Sequence, residues 1–439
     1  MANLKHWRFV IFLLLTGCVH MEWRGGMVPH IGLKESNPKQ LQASIPNPQK
    51  WRAGNFEWPQ FRGPDRDGHA PDQGAKFKWK DAPSVVWEDA CGVSHSSIIT
   101  SGSLLYTLEQ IGDEETLTAR NIENGKISWK YSEKTRWDDM MSGPGPRSTP
   151  TLHGDQLIIL FSNGTLANLD HKTGEKRWKV STLPDDHHFP EWGISCSPLV
   201  WNDQIIVSLG GDTGAAQAYD IKTGKLLWRG EPSERGTYLS PAILPLLGEK
   251  HLIVAVEGSI LGLDPMNGKT KWKHPWKIFL NNAQIAQPLT LADDTFLLSA
   301  GYGKGAECLQ IRKDGTGYNL STIWKSKHLK TKFSNAILHD GSIYGYSENL
   351  LVCLDANSGD LNWRGKKYGY GRILLAEDKL VLLGNTGELT VVEAKPDSFE
   401  EIYSGKLLSN VRCWNGPALV NGYLFARNGE QIACFDWAK

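Results

Sequence analysis

A short phrase recurs seven times along this chain and constrains its fold more than any other feature. An apolar run ends in Asp, a turn containing Gly follows, and a Trp stands four residues after the Gly. The clearest copies span residues 170–178, 220–228, 264–272 and 355–363. A fifth copy, 121–129, has Asn in place of Asp, and two degraded copies end at Trp324 and Tyr403. A repeat of this period predicts a fold built from one repeated supersecondary unit.

The residues around the copy at 170–178 indicate what that unit is. Short strands are predicted near 149–152, 156–161, 165–170 and 175–180, separated by turns that contain Gly. Asn163-Gly164 is a strong hairpin signal, because both central positions of such a turn favour positive φ. Four short antiparallel strands in 40 to 50 residues are typical of one blade of a β-propeller.

Each part of the phrase has a structural reason within such a blade. The Asp carboxylate can accept hydrogen bonds from the turn backbone, and the Gly supplies a backbone angle that a Cβ would resist. The Trp is predicted on the outermost strand, where its large apolar face can pack against the neighbouring blade. The phrase is therefore interpreted as a structural clasp between blades rather than as an active-site motif.

The number of blades follows from the two incomplete ends of the chain. Residues 416–436 supply three strands, and residues 83–88, with Trp87, supply a fourth that has no three strands before it. We therefore predict an all-β fold, an eight-bladed β-propeller of four-stranded antiparallel blades, closed by strands from both termini. Seven blades remain the alternative if the repeat ending at Tyr403 is incomplete. The predicted docking residues are Trp87, Trp129, Trp178, Trp228, Trp272, Trp324, Trp363 and Tyr403.

The N-terminal residues predict export and a lipid anchor. Lys5 and Arg8 precede a seven-residue apolar run that is too short to span a bilayer, and Leu15-Thr16-Gly17-Cys18 follows, which resembles a lipobox. Residues 1–18 are predicted to be a lipoprotein signal peptide with lipidation at Cys18, and a plain secretory signal is the alternative. Residues 19–55 are predicted to be a flexible tether and residues 56–439 the propeller, exported and anchored at the outer membrane facing the periplasm.

Charge and cysteine usage exclude some classes of function. Lys plus Arg and Asp plus Glu both number 48, so the chain offers no electrostatic reason to bind nucleic acid. Cys308, Cys353 and Cys434 share one register with Ala or Gly in other repeats, which predicts small core residues; a disulfide is not excluded. No metal motif is found, and residues 185–188, Asp-Asp-His-His, are interpreted as a surface loop.

The segments that enter each blade's inner strand are predicted to line an axial funnel. These segments are polar and aromatic, and together they place cations beside aromatic rings, a combination suited to an anionic or sugar-like ligand. The alternative is that these side chains only hold water. The candidate funnel residues are Arg147, Trp192, Tyr238, Lys332, Tyr370, Arg372, Arg412 and Trp414.

The recurring phrase resembles the tryptophan-docking repeat of the pyrroloquinoline quinone (PQQ) family of propellers, in phase over residues 83–436. That resemblance implies either of two kinds of protein. Quinoprotein dehydrogenases hold PQQ and Ca²⁺ in the funnel, whereas BamB-like lipoproteins of outer-membrane protein assembly are not enzymes. The chain lacks the adjacent Cys pair found in the alcohol dehydrogenases of the family.

From this resemblance we expect a non-enzymatic scaffold in the cell envelope with no catalytic residues, no cofactor and no bound metal. Its expected partners are other envelope proteins and, through the lipid, the membrane, with a monomeric body. The alternatives are a PQQ-dependent oxidoreductase and a receptor for a sugar or anion that uses the funnel.

Overall fold

The computed structural model describes residues 19–23, 29–33, 51–52, 54, 56–71, 74–184, 190–279 and 283–438. Eight four-stranded antiparallel sheets form the blades of one propeller ring, which confirms the predicted fold and the count of eight. In this part of the chain the one helical element is a 3₁₀ turn, Gly211–Thr213. Within the described residues, no helix is long and apolar enough to cross a membrane.

The strands of each blade run in chain order from the axis outwards. Blades 1 to 4 comprise β4 (Ile99–Ser101), β5 (Leu104–Ile111), β6 (Glu114–Asn121), β7 (Ile127–Glu133); β8 (Thr151–His153), β9 (Gln156–Leu160), β10 (Thr165–Asp170), β11 (Lys176–Ser181); β12 (Leu199–Trp201), β13 (Gln204–Val207), β14 (Gln217–Asp220), β15 (Leu226–Arg229); β16 (Ala242–Leu246), β17 (Glu249–Val256), β18 (Ser259–Leu263) and β19 (Thr270–Pro275).

Blade 8 is the exception, because its outermost strand, β3, comes from near the N-terminus. Blades 5 to 8 comprise β20 (Leu289–Ala292), β21 (Thr295–Ala300), β22 (Gly305–Asp314), β23 (Gly317–Ser326); β24 (Ile337–His339), β25 (Ser342–Ser347), β26 (Leu350–Asp355), β27 (Leu361–Lys367); β28 (Arg372–Ala376), β29 (Lys379–Leu383), β30 (Glu388–Glu393), β31 (Glu401–Lys406); β32 (Ala418–Val420), β33 (Tyr423–Arg427), β34 (Gln431–Asp436) and β3 (Ser84–Ala90).

The recurring Trp and Gly are partners across the blade boundary. Five of the Trp residues, each on an outermost strand, pack against the Gly of the following blade so tightly that an added Cβ would fall within 2.7 Å of an indole atom. The pairs are Trp87 on Gly125, Trp129 on Gly174, Trp178 on Gly224, Trp228 on Gly268 and Trp324 on Gly359. The clasp predicted from the sequence is therefore confirmed, and its second half is the Gly of the neighbouring copy.

The three other docking residues meet different partners because the turns beyond them differ. Trp272 lies 5.6 Å from Phe296 of blade 5, and Trp363 lies 5.5 Å from Phe399 of blade 7, between ring centroids. Tyr403 is half-buried against a core cluster formed mainly by blades 7 and 8. An aromatic ring thus replaces the Gly contact where blade 5 has a longer hairpin, β22 to β23, and where blade 7 has a longer loop between β30 and β31.

The Asp of the phrase holds its turn as predicted. Asp170 Oδ1 accepts hydrogen bonds from the backbone N–H groups of Lys172 and Thr173, both at 3.0 Å. Gly174, at φ 76°, returns its N–H to the Asp170 carbonyl at 2.9 Å. Partial burial opposes ionisation, but the hydrogen bonds from Arg177 and the turn backbone hold the pKa of Asp170 at about 2.

The register position shared by three cysteines is directly opposite the docking residue. Cys308 pairs with Trp324, Cys353 with Trp363 and Cys434 with Trp87 across strands three and four. All three are buried and unpaired, and burial raises the pKa of their thiols, which confirms the prediction of small core residues. The six cysteines in the described part of the chain are all free thiols.

The junction between blades 8 and 1 closes the ring and carries buried arginines. Arg120 of blade 1 forms a 2.5 Å ion pair with Asp89 of β3 and donates to the Ala90 carbonyl at 3.0 Å. Arg427 of blade 8 is also buried and donates to the Gly92 carbonyl. The strand that the N-terminal region contributes is therefore fixed by charged hydrogen bonds as well as by the Trp87 clasp.

The residues that precede β3 show two features within the range predicted to be a tether, residues 19–55. Val19–Trp23 (β1) and Pro29–Leu33 (β2) form an antiparallel hairpin. Trp51 already stacks on Tyr423, with ring centroids 4.0 Å apart, and Arg52 forms a 2.9 Å ion pair with Asp436. Packing against the propeller therefore already includes Trp51 and Arg52, because these side chains find partners on blade 8. The predicted signal peptide and Cys18 lie outside the described residues.

Candidate functional site: a funnel closed at one end

Hydrogen bonds pass from blade to blade around the axis. In five of the eight blades, the backbone N–H two residues before the inner strand donates to a side-chain oxygen at the same position of the next blade. These bonds are Gly416 to Ser97 (2.9 Å), Ser97 to Thr149 (3.0 Å), Thr149 to Ser197 (3.0 Å), Ser197 to Ser240 (2.9 Å) and Gln287 to Asn335 (2.7 Å). The Gln287 amide, in the orientation that satisfies both of its groups, also bonds the Ser240 backbone at 3.0 and 3.2 Å.

Blade 7 interrupts this pattern. Tyr370 occupies the equivalent position, and its backbone N–H turns to Asn385 of the same blade at 3.3 Å. Arg372, the first residue of β28, makes the link instead, because its Nε donates to the Trp414 carbonyl of blade 8 at 2.7 Å. The ring of polar contacts therefore contains a guanidinium at one place, and that guanidinium lines the funnel.

All eight blades contribute to one cavity on the axis, of about 1190 Å³ when solvent at its mouth is included. Most lining residues come from the segments that enter the inner strands, as predicted. The wall comprises Phe61, His95, Ser97, Met141, Ser142, Arg147, Thr149, Trp192, Ser195, Ser197, Tyr238, Ser240, Ile285, Tyr302, Lys332, Phe333, Asn335, Arg372 and Trp414.

An N-terminal segment, residues 58–70, crosses the axis and is called the plug. Its backbone pairs with blade 1 at Thr100 and with blade 7 at Leu375. Two arginines of the plug, Arg62 and Arg66, anchor it with hydrogen bonds to backbone carbonyls of blades on either side. Phe61 of the plug lines the cavity. The funnel therefore has a closed end, with its mouth on the face of the inter-blade loops.

Arg62 is buried and Arg66 is half-buried, and neither has a carboxylate ion-pair partner among the described residues. Arg62 donates to the Ala336 carbonyl at 3.0 Å, and Arg66 donates to the carbonyls of Pro198 and Pro241 at 3.1 and 3.4 Å. Burial lowers the pKa of each guanidinium to about 10, so both stay charged at neutral pH. The closed end of the funnel therefore carries two guanidinium charges, and the Asp67 carboxylate of the plug is close enough to raise the pKa of Arg62 in opposition to burial.

Two groups of aromatic rings form the walls. Trp192 of blade 3 stacks on Tyr238 of blade 4, with centroids 5.0 Å apart. Phe333 of blade 6 stacks on Trp414 of blade 8, at 4.7 Å. Blade 4 stands opposite blade 8 in an eight-membered ring, so flat apolar surfaces face the cavity from two sides.

Lys332 is a buried ammonium between these walls. Its Nζ lies 4.8 Å from the ring centroids of Tyr302 and Tyr370 and 5.3 Å from that of Phe333. Its one ion pair among the described residues is long, 3.9 Å to Glu348, and burial lowers the pKa of the ammonium. The aromatic faces stabilise a charge that has little water around it.

The other predicted cations of the funnel are held by protein groups. Arg147 forms a 2.5 Å ion pair with Asp139 and donates to Ser142 Oγ at 2.6 Å. Arg412 lies over the Trp414 ring at 4.8 Å and donates to the Ser142 carbonyl. These two guanidinium groups therefore have protein partners in the loop at the mouth, residues 137–143, although Arg147 also lines the cavity.

His95 is a neutral wall residue. Its Nε2 lies 3.0 Å from the Ser142 carbonyl, and its ring lies 5.3 Å from that of Trp414. Burial first, and then the charges of Arg147 and Arg412, hold the pKa of His95 well below its ordinary value. The imidazole therefore adds an uncharged, flat group beside the cations.

Six of the eight candidate residues line the cavity, and Tyr370 and Arg412 stand directly behind it in contact with Lys332 and Trp414. Sequence reasoning missed Tyr302, which lies in the turn between the second and third strands of blade 5, and Phe61 of the plug. Tyr302 could have been found from the sequence, because turns between the second and third strands of a blade lie on the same face as the inter-blade loops. Asp139 was also missed as the partner of Arg147.

The fold family raises the question of PQQ and Ca²⁺. Ca²⁺ needs several oxygen ligands with carboxylates among them, and quinone chemistry needs a carboxylate base. No Asp or Glu belongs to the described wall, and Asp139 beside it is bonded to Arg147, Ser142 and the backbone of its own loop. No group of three potential metal ligands occurs among the described residues; residues 185–188 lie outside them. The wall therefore does not fit a Ca²⁺-assisted quinone.

An eight-bladed propeller with a funnel closed by its own N-terminal segment is the class of protein that fold and site define. The chain belongs to the family described as "Outer membrane protein assembly factor BamB", whose profile matches residues 76–188 and 187–365. It is 23% identical over 243 residues to the outer membrane protein assembly factor BamB of Burkholderia pseudomallei, covering 54% of this chain and 59% of that protein.

Quinoproteins are relatives as well. Quinohemoprotein alcohol dehydrogenase ADH-IIG of Pseudomonas putida is 28% identical over 145 residues, which cover 31% of this chain and 19% of the enzyme. The chain thus spans less than two thirds of either relative. Among solved structures, BamB from Moraxella catarrhalis superposes with a TM-score of 0.58 at 16% identity, over 81% of this chain and all of that chain, which supports the fold alone.

Proposed function

We propose that the protein is a non-enzymatic interaction platform of the cell envelope that works with other proteins in the assembly of outer-membrane proteins. Membership of the BamB family, over residues 76–365, is the observation that carries this proposal. The cavity wall adds support, because its described residues supply no carboxylate for the oxidoreductase alternative. Fold likeness alone would not be sufficient, since one propeller architecture serves many functions.

The partner surface is proposed to be the face that carries the funnel mouth. Met140 and Phe279 project from inter-blade loops on this face and are 81% and 96% exposed. Large exposed apolar side chains beside a concave site are common at interaction surfaces. The plug enters from the opposite face, so a chain anchored through Cys18 would be attached behind the ring.

Site-specific photocrosslinking tests this proposal in cells that make the protein. A photoreactive residue at Met140 or Phe279 is expected to give crosslinks to a membrane β-barrel protein or to a component that inserts one, identified by mass spectrometry. Met266, 56% exposed in a turn on the other face, is the matched control and should give none. Crosslinks from Met266 alone, or from no position, would contradict the proposed surface.

Membrane fractionation tests the anchor separately. Cys18→Ser should release the protein from the membrane fraction, because one covalent lipid is the proposed attachment. Retention of the Ser variant in that fraction would show that the lipobox interpretation is wrong, while leaving the crosslinking result intact.

A further inference from the structure

Charge in the funnel is unbalanced. Arg372 and Lys332 line the cavity, and Arg62 and Arg66 lie at its closed end, whereas no Asp or Glu belongs to the described wall. Glu348 is 3.9 Å from Lys332, and Arg62, Arg66 and Arg372 have no ion pair with the described residues. Because positive charges in a low-dielectric cleft attract counter-ions strongly, the cavity favours an anion.

The guanidinium of Arg372 has two terminal nitrogens, the fork of its side chain, available to bind a ligand. Its Nε donates to the Trp414 carbonyl at 2.7 Å, and its two terminal nitrogens make no hydrogen bond with the described residues. Parallel N–H groups of this kind match the two oxygens of a carboxylate or a phosphate. The Nε hydrogen bond already holds this half-buried guanidinium in place, so the fork needs little reorganisation to bind an oxyanion.

Lys332 supplies a second donor on the same cavity. Its ammonium makes no hydrogen bond with the described residues and is held by the faces of Tyr302, Phe333 and Tyr370. A bound oxyanion would satisfy a charge that these faces stabilise only in part. The aromatic walls, Trp192 with Tyr238 and Phe333 with Trp414, offer stacking surfaces for a flat body.

We propose that the funnel is a binding site for a small aromatic oxyanion, held by Arg372 and Lys332 at its charged end and by the aromatic walls along its flat body. Residues from blades 6 and 7 hold the charge, and rings from blades 3, 4, 6 and 8 hold the body. The polar ring bonds are interrupted at blade 7, where Tyr370 and Arg372 replace the repeating pattern. This site is independent of the proposed platform role.

Isothermal titration calorimetry on the full chain in detergent micelles tests the site. The probes are terephthalate and phenyl phosphate, with neutral terephthalamide and ring-free acetate as controls. At least one aromatic anion should bind saturably, with Kd below about 1 mM, and each control should bind at least about tenfold more weakly. The stronger of the two anions identifies the preferred oxyanion, carboxylate or phosphate.

Two variants locate the binding. Arg372→Gln keeps a donor for the Trp414 carbonyl but removes the fork, and Lys332→Gln removes the ammonium; each should weaken binding at least about tenfold. Exposed Arg364→Gln and Lys327→Gln are the matched controls and should change Kd by less than about twofold. Melting curves verify that each variant folds. If Arg372→Gln does not fold, the Lys332→Gln variant alone is sufficient for the test.

The proposal is overturned if neither aromatic anion saturates the site at concentrations up to about 10 mM, because binding would then be too weak for a specific site. Equal binding of terephthalamide would overturn it too, since the charge would then be irrelevant. So would unchanged affinity in the folded Lys332→Gln variant. None of these results depends on whether the mouth face crosslinks to envelope proteins, so the two proposals fail separately.

Discussion

The indole ring of Trp87 lies against Gly125 of the next blade, so that a Cβ added to this glycine would stand 2.5 Å from Cε3 of the ring. Trp87 also donates its Nε1–H to the Ile122 carbonyl at 2.8 Å. This contact is one of those that join a strand from the N-terminal region to blade 1. Together with the pairing of β3 with β34 and the Arg120–Asp89 ion pair, it closes the ring.

Gly125→Ala should destabilise the protein by about 2–4 kcal/mol, because it combines a positive φ of 71° with a clash against Trp87. Gly102→Ala is the matched control: its φ is 53°, but nothing lies within 4 Å of the new methyl group, so about 1–2 kcal/mol is expected. Urea unfolding measures both. Equal losses would mean that the clasp adds nothing beyond backbone strain.

Asp89→Ala should cost about 3 kcal/mol, because it leaves the buried Arg120 guanidinium without its carboxylate at the closing junction. Glu234→Ala serves as the comparison, since its 3.0 Å pair with Lys273 is about half exposed on both sides and should contribute less than about 1 kcal/mol. Both free energies of unfolding can be read from urea titrations at neutral pH. A loss below that of Glu234→Ala would contradict the assigned role of the junction.

His251 makes stability depend on pH. Its Nδ1 accepts a hydrogen bond from Trp272 Nε1 at 3.1 Å, and burial first, then Lys271, lowers the pKa of His251 to about 4. Between pH 6.5 and 4 the unfolded chain therefore binds more protons than the folded one, so the free energy of unfolding falls as pH falls through this window.

In the His251→Gln variant, the free energy of unfolding should fall by about 2 kcal/mol less between pH 6.5 and 4 than in the natural chain. Gln retains an acceptor for the indole, as blade 3 shows, where Trp228 donates to Gln204 at 2.8 Å. Melting temperatures across the pH range are the measurement. If the variant and the natural chain lose stability in parallel over this window, His251 is not the responsible group.

Arg66→Lys should loosen the plug, because a single nitrogen on a shorter side chain replaces the two guanidinium nitrogens that donate separately to the carbonyls of Pro198 and Pro241. A loss of about 2 kcal/mol is expected from the unsatisfied buried groups. Hydrogen exchange should also speed up at Ser197 and Ser240, beside those carbonyls. Exposed Arg364→Lys is the control, and unchanged exchange in Arg66→Lys would mean that the plug does not depend on its arginine.

The ring could be predicted from the sequence because its defining residues repeat in phase. All eight docking residues lie on outermost strands, and the strand predicted at 165–170 coincides with β10. One turn differs in detail: of Asn163 and Gly164, only Gly164 has a positive φ, of 81°. The Asn163 side chain instead accepts from the Thr165 backbone at 2.9 Å, so its amide oxygen, not a left-handed backbone, forms the turn.

The funnel could be predicted in part. Entrance segments can be located from the repeat, so Lys332 and Arg372 were found, but side-chain pairing across blades has no sequence signal. Arg147 looked equivalent to Arg372, yet Asp139 binds it. Phe61 belongs to a segment outside the repeat, and nothing in the periodicity indicates that this segment crosses the axis.

Closure by β3 has a consequence for how the chain comes to be folded. Ser84 of β3 and Asp436 of β34 pair although they are 352 positions apart. At about 5–20 residues per second, β3 waits roughly 20 to 70 seconds after synthesis for its partner. During that time an unpaired strand edge is available to wrong partners. Because the chain is synthesised from its N-terminus, the pairing of β3 with β34 comes late, and this pairing commits the molecule to its native topology.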